Sequence, residues 1–305
     1  MIIRPQQHWF RRLLGWHGSV LPHIMFRLGL NLAMSVIAIL TYQWYQGFGF
    51  RLTIAPFSLL GVSIAIFLGF RNNASYARFI EARVLWGSMV ITHRSLLRQI
   101  KSILPQQEQA AREFAALQMA FSWSLKHQLR ETNGREDLLR LVPERWRNEV
   151  MNSPLPTNRL LLCMGTWLGE QRSKGAISDI LWQSVDANLN QLSAIMTGCE
   201  RIAGTPIPFA YTLILHRTVY LFCSLLPFAL AADLHFMTPL VSVFISYTFL
   251  SLESLAAELE EPFGEEPNHL PLNAMCITIE RNLRDMNDDL PLPAPALPDS
   301  NFVLN

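Results

Sequence analysis

Bulky apolar residues recur at every fourth position in one uncharged run of the chain. They are Val62, Ile66 and Phe70. At helical spacing they form one line, and a second line of small residues runs beside it, consisting of Gly61, Ala65 and Gly69. Small residues let membrane helices approach closely, so a ring of such helices would turn the bulky line toward a shared axis. A hydrophobic constriction of that kind gates ions by dewetting. The alternative is that the bulky line faces lipid or neighbouring helices.

The segment that carries both lines turns polar at Arg71, with no proline or turn-forming cluster at the change. This pattern predicts one helix that runs from an apolar environment into water. Such a helix would join a membrane span rigidly to a domain outside the membrane. The alternative for its polar residues is a solvated helix surface at the interface.

Apolar runs occur in four places, the first two of them without any charge, and they are about long enough to cross ~30 Å of hydrocarbon. The first two are residues 28–45 and 52–70, joined by a short link, and the other two are residues 205–232 and 236–252. Buried helices of a soluble bundle are the alternative, but the length and continuity of the first two runs favour membrane spans. We therefore expect four transmembrane helices.

The composition agrees with a membrane protein that has a substantial soluble part. Half of the 305 residues are hydrophobic and 16% are charged. The net charge of +1 leaves no surplus of cations for a nucleic-acid partner. Four scattered cysteines show no metal-binding spacing and predict reduced, structural thiols. The chain also lacks the common nucleotide-binding, metalloprotease and hydrolase motifs, so no catalytic residues, metal or cofactor are expected.

The basic residues predict the orientation in the membrane. They concentrate in the N-terminal arm, at Arg4, Arg11, Arg12 and Arg27, and in the long middle region, whereas the links between spans carry only Arg51. Positive residues favour the cytoplasmic side, so both termini and the middle region are predicted to be cytoplasmic.

The middle region reads as a helical cytosolic domain, because apolar residues recur at helical spacing, for example over residues 176–202. The tail is rich in proline and is predicted to be extended or disordered. The expected divisions are an arm (1–27), two spans (28–70), a cytosolic domain (71–204), two more spans (205–255), a cytosolic segment (256–290) and a tail (291–305).

Three blocks of the sequence resemble the bestrophins, and most closely the bacterial branch. They are residues 67–87 ("FLGFRNNASYARFIEARVLWG"), 205–228 and 255–264. With the four spans and the N-terminal arm, the resemblance covers most of residues 1–280. It implies a homopentameric ion channel, in which each subunit supplies four membrane helices and a large helical cytosolic domain.

The resemblance also implies where ions would pass. Val62, Ile66 and Phe70 match the apolar neck of the family's pore, and Ile180 matches a second constriction at the cytosolic exit, with Asp179 as a charge beside it. The calcium site of eukaryotic members uses an acidic run after the "PFG" turn, whereas this chain has only Glu265 and Glu266 there. Calcium needs several oxygen ligands, so no calcium site is expected.

The expected function is passive conduction of monovalent ions across a bacterial inner membrane, with lipid and other copies of the chain as partners. Sodium is the expected ion, because bacterial members conduct cations and Asp179 would favour them at the exit. An anion channel of the same architecture is the alternative, since Arg71 would favour anions if it faced the axis. A secondary transporter is a further alternative, which His216 and Arg217 in the third span would suit.

Overall fold

The computed structural model describes residues 1–3, 15, 18–47 and 53–305, and helices make up most of this part of the chain. The arginines Arg4, Arg11, Arg12 and Arg51, on which the predicted orientation depends, lie outside the described residues. The helices are α1 (Leu21–Leu40), α2 (Tyr42–Gly47), α3 (Ile54–Ile103), α4 (Glu108–Leu129), α5 (Arg135–Leu141), α6 (Glu144–Met151), α7 (Pro156–Ser173), α8 (Asp179–Gly204), α9 (Phe209–Leu234), α10 (Thr238–Glu260) and α11 (Leu272–Met286).

Two compact units divide the chain. The apolar unit comprises Pro5–Phe79 and Pro206–Glu261, and the polar unit comprises Met1–Arg4, Ile80–Thr205 and Pro262–Asn305. Helix α3 contributes its first part to the apolar unit and its second part to the polar unit, without a break in the helix.

The stretches that are long and apolar enough to span a membrane lie wholly or partly in the apolar unit. In the described residues these are Leu21–Leu40, Ile54–Ile103 and Phe209–Glu260. The third stretch holds two helices, α9 and α10, separated by a 3-10 turn at His235–Met237. The helices α1, α3, α9 and α10 therefore correspond to the four predicted spans.

Two of these helices extend beyond the predicted apolar runs. Helix α1 begins at Leu21 and includes Arg27, and α10 continues to Glu260 and includes Glu253. The predicted divisions placed Arg27 in the arm (1–27), outside the spans, and Glu253 near the end of the fourth span (205–255). The structure pairs them with each other, at 3.6 Å between Arg27 Nη1 and Glu253 Oε2, so each charge has a partner within the unit.

The apolar unit packs around Phe222 of α9. Its ring contacts Phe57 of α3 and Phe249 of α10, with centroids 6.1 and 5.3 Å away. The helices α1, α9 and α10 pack against one another around this core. Burial of aromatic surface and close van der Waals contact hold such helices together where neighbouring lipid is equally apolar.

A buried asparagine links three of the membrane helices. The Nδ2 of Asn31 on α1 donates to the carbonyl of Cys223 on α9 at 2.6 Å, and Ser242 Oγ on α10 donates to Asn31 Oδ1 at 3.0 Å. Hydrogen bonds of this type contribute about 0.6 kcal/mol each between membrane helices. They also fix the register of the three helices, because any sliding would leave buried polar groups unpaired.

The polar unit is built around α4, which packs against α5, α7, α8 and α11. Phe114 of α4 lies against Trp167 of α7, with ring centroids 4.7 Å apart. Near them His93 of α3 is buried, and its Nε2 lies 2.9 Å from Ser122 Oγ. Burial lowers the pKa of His93 to about 3, so this histidine is a neutral hydrogen-bonding residue of the core.

The proline-rich tail has no helix, and its end is bonded to other parts of the polar unit. Val303 pairs with Ile2 in an isolated antiparallel bridge, and the amide of Ala274 at the start of α11 donates to the carbonyl of Asn305 at 2.9 Å. The last residues of the tail are therefore hydrogen-bonded to the polar unit, and the predicted disorder of the tail stays a prediction.

Glu280 of α11 is the main buried charge of the polar unit. It accepts a hydrogen bond of 2.7 Å from Arg140, 3.0 Å from Arg284 and 3.2 Å from the indole of Trp123. Burial raises the pKa of Glu280, but the hydrogen bonds and charges of the two arginines outweigh burial, so its net pKa is below the ordinary value. The carboxylate thus ties α11 to α4 and α5.

We expect Glu280→Gln to destabilise the protein by about 2 kcal/mol at neutral pH, because it removes a charge-assisted network that is almost fully buried. A lowered pKa means that the carboxylate stabilises the fold above its ordinary pKa and loses this effect as the pH falls. The difference in thermal unfolding between wild type and Glu280→Gln should therefore shrink toward about pH 3. The control is Glu136→Gln, an exposed position on α5. A difference that stays constant with pH would contradict this account.

Candidate functional site

Helix α3 has two opposite faces within the apolar unit. One face is buried and includes Ile64 and Leu68, which are 2% and 0% exposed. The bulky line lies about 200° around the helix from these residues and is open to the surroundings. Val62, Ile66 and Phe70 are 60%, 53% and 61% exposed. The sequence therefore placed these three side chains correctly on one line, and their role as a pore neck stays a prediction.

Arg71 lies on the buried face, not on the line of Phe70. Its side chain is 2% exposed, its Nη2 lies 3.3 Å from Glu260 Oε2, and its Nη1 lies 3.6 Å from Glu253 Oε1. Arg78, two turns further along α3, donates from Nε to the carbonyl of Glu260 at 3.2 Å. The charges that follow the apolar run thus bind the end of α10. This is how the helix passes from apolar to polar sequence without stopping.

The small line of α3 is used in two ways. A Cβ added at Gly61 would lie 3.5 Å from the ring of Phe222, in ordinary van der Waals contact, so Gly61 faces α9 of the same chain. Gly69 has no atom within 4 Å of such a Cβ, and Ala65 is exposed. The lower part of the small line is therefore open beside the bulky line, where it can receive another helix.

Ile180, the predicted exit residue, stands at the start of α8 in the polar unit. It is 80% exposed, although its neighbour Ile177 is buried. The helix is capped by Ser178, whose Oγ accepts from the amide of Leu181 at 3.5 Å. The cap and the buried Ile177 fix the first turn, so Ile180 projects from a positioned backbone into solvent. Its role as a constriction also stays a prediction.

Asp179, beside Ile180, is paired. Its Oδ1 accepts from Arg172 Nε at 2.6 Å, and the Arg172 guanidinium also lies 5.4 Å from the ring of Trp182. From the sequence, Asp179 was expected to favour cations beside the predicted exit. The structure places a positive charge next to it, so the local preference for cations is weaker than the sequence suggested.

The turn after α10 carries Glu265 and Glu266. It is closed by hydrogen bonds of its own backbone, among them the amide of Leu270 to the carbonyl of Pro262 at 2.9 Å. The amide of Glu266 donates to His269 Nδ1 at 3.1 Å. The described part of the chain holds no cluster of three or more histidine, cysteine or acidic side chains that could bind a metal.

Glu253 was not singled out from the sequence, although its carboxylate contacts several basic side chains of the apolar unit. Its side chain is 7% exposed and contacts Arg27, Arg71 and His216. The sequence feature that could have identified Glu253 is its carboxylate, which follows an uncharged run of membrane length on one helix. Its partners come from three other helices, so spacing along the chain did not reveal them.

These features define a class of protein: an all-α membrane protein with four membrane helices, one of which presents an exposed apolar line and continues into a polar helical unit. The model of the bacterial and fungal bestrophin family matches residues 1–285. The voltage-dependent anion channel-forming protein YneE of Escherichia coli (strain K12) is 56% identical over 304 residues, which is 100% of each chain. The voltage-dependent anion channel-forming protein RSc3414 of Ralstonia nicotianae is 44% identical over 289 residues, which is 94% of each chain.

A solved structure agrees with these relatives. The crystal structure of a bacterial bestrophin homolog from Klebsiella pneumoniae matches with a TM-score of 0.86 at 60% identity, and the match covers 88% of this chain and 100% of that one. The chain belongs to the bacterial and fungal bestrophin family. The resemblance seen in the sequence and the predicted all-α membrane fold are therefore confirmed.

Proposed function

We propose that this chain is one subunit of a homopentameric channel that conducts monovalent ions passively across the bacterial inner membrane. The observation that carries the proposal is the bulky line Val62, Ile66 and Phe70, which is more than half exposed on a helix whose opposite face is packed. One chain cannot enclose a path with this line. A ring of chains encloses it, and the open small residues beside the line allow close packing in such a ring.

The relatives support a channel rather than an enzyme or a transporter. Two of them, at 56% and 44% identity, carry names that describe channel formation. Asn31, a buried polar group of the membrane helices, is also used for packing within the chain. The five-fold ring follows from the resemblance to bestrophins, and cytoplasmic termini follow from the distribution of arginines.

Ions would meet the constriction of α3 first and the Ile180 residues later, in the polar unit. Apolar side chains at both positions offer no ligands, so passage there depends on wetting and on the charges nearby. Because passage depends on wetting, two constrictions built from valine, isoleucine and phenylalanine are compatible with a protein that conducts ions.

The names of the relatives favour anions over the sodium ion expected from the sequence. The pairing of Asp179 with Arg172 agrees with this, since it offsets the charge that favoured cations. We therefore propose anion conduction, with sodium conduction by the same architecture as the second candidate.

Purified protein in planar bilayers under a sodium chloride gradient should give currents that reverse near the chloride potential. Replacement of chloride by a large organic anion should abolish most of the current. The currents could instead reverse near the sodium potential and disappear when sodium is replaced by a large organic cation. That result would support the channel function and contradict anion selectivity. No current from intact oligomers would contradict the channel itself.

Phe70→Ala should raise single-channel conductance about twofold or more, because it removes a ring from the constriction and eases wetting. The matched control is Phe244→Ala, at an exposed phenylalanine of α10 that lies outside the line. This control should conduct as wild type does. Equal conductance of wild type and Phe70→Ala would count against Phe70 as a neck residue.

A further inference from the structure

Two basic groups share one oxygen of Glu253. The Nδ1 of His216 lies 3.0 Å from Glu253 Oε1, and the Nη1 of Arg71 lies 3.6 Å from the same oxygen. The other oxygen, Oε2, lies 3.6 Å from Arg27 Nη1. Any strengthening of the contact with His216 therefore acts on the oxygen that also holds Arg71.

The surroundings of Glu253 are charged or titratable on every helix packed against it. The groups that face it, directly or through Arg71, are Arg27 from α1, Arg71 from α3, His216 and Tyr220 from α9, and Glu260 from α10. The rings of His216 and Tyr220 lie 4.3 Å apart, which positions the imidazole toward the carboxylate. His216 is also partly exposed, with 44% of its side chain accessible, so protons can reach it.

Arg71 is held by ion pairs more than by hydrogen bonds. Its Nε and Nη1 are buried without a hydrogen-bond partner among the described residues, and its hydrogen bond is made by Nη2 to Glu260. The attraction of Glu253 is therefore a large part of what holds the guanidinium in place. Phe70 precedes Arg71 directly on α3, so the contacts that hold Arg71 against α10 also fix the direction in which Phe70 faces.

We propose that Glu253 is a positioning residue for the neck and that it relays the protonation of His216 to Arg71, so that conduction depends on pH. This inference rests on the proposed channel function. Histidine changes its charge between about pH 5 and pH 8. Protonated His216 makes a charge-assisted contact with Glu253 and repels Arg71, which is then held by Glu260 alone. The rotation of α3 is then less firmly fixed, so Phe70 can turn from its position in the neck and change the wetting of the constriction.

The first test compares wild type with His216→Gln in planar bilayers between about pH 8 and pH 5.5. Wild-type conductance should fall about twofold toward acidic pH, whereas His216→Gln, which keeps a hydrogen-bond donor and cannot gain a proton, should be independent of pH. The matched control is His23→Gln, at an exposed histidine of α1 in the same unit, and it should follow wild type. Identical pH profiles for wild type and His216→Gln would overturn the proposal.

A second readout works whether or not the protein conducts. The four native cysteines are buried, so Asn73→Cys, at an exposed position of α3, can be labelled selectively with a trifluoromethyl thiol reagent. Its fluorine resonance should shift between the two pH values in the wild-type background and stay fixed with His216→Gln. A resonance that does not respond to pH, or responds equally in both backgrounds, would overturn the relay. Absence of current together with the expected shift would instead contradict the channel function alone.

Discussion

The burial of Arg71 is the constraint on which the apolar unit depends. A guanidinium placed among membrane helices is costly unless acidic groups surround it, and Glu253 and Glu260 of α10 meet that need. Because Arg71 must point toward α10, the rotation of α3 about its axis is fixed. The residues opposite, Val62, Ile66 and Phe70, are then necessarily presented outward. One ion-pair cluster thus determines which side chains a ring of subunits can bring to its centre.

Buried carboxylates organise both units in the same way. Glu253 joins α10 to α1, α3 and α9, and Glu280 joins α11 to α4 and α5. In each case a single acidic residue receives three partners from different helices. The arrangement fixes helix rotation more precisely than apolar packing alone, since apolar surfaces tolerate small rotations and charge pairs do not. In the proposed ring, this precision would present the same residues in every subunit.

The sequence predicted what depends on local spacing. The four spans, the bulky line and the exposed Ile180 follow from helical periodicity and from the family resemblance. The pairing of charges could not be predicted, because the partners of Arg71 lie on a helix far along the chain. For the same reason the sequence did not reveal that Arg27 pairs with Glu253, or that Arg172 lies against Asp179. Spacing identifies faces of helices, whereas ion pairs depend on how those faces meet.

The central claim is that the exposed line of α3 borders the path of the ions. Thiol accessibility tests it most directly, since all four native cysteines are buried and give little background. A charged thiol reagent added to conducting Ile66→Cys channels should block most of the current. The same reagent should leave wild type and Ile214→Cys, an equally exposed isoleucine of α9, unaffected. If Ile66→Cys is labelled and its current is unchanged, the path of the ions does not follow this line.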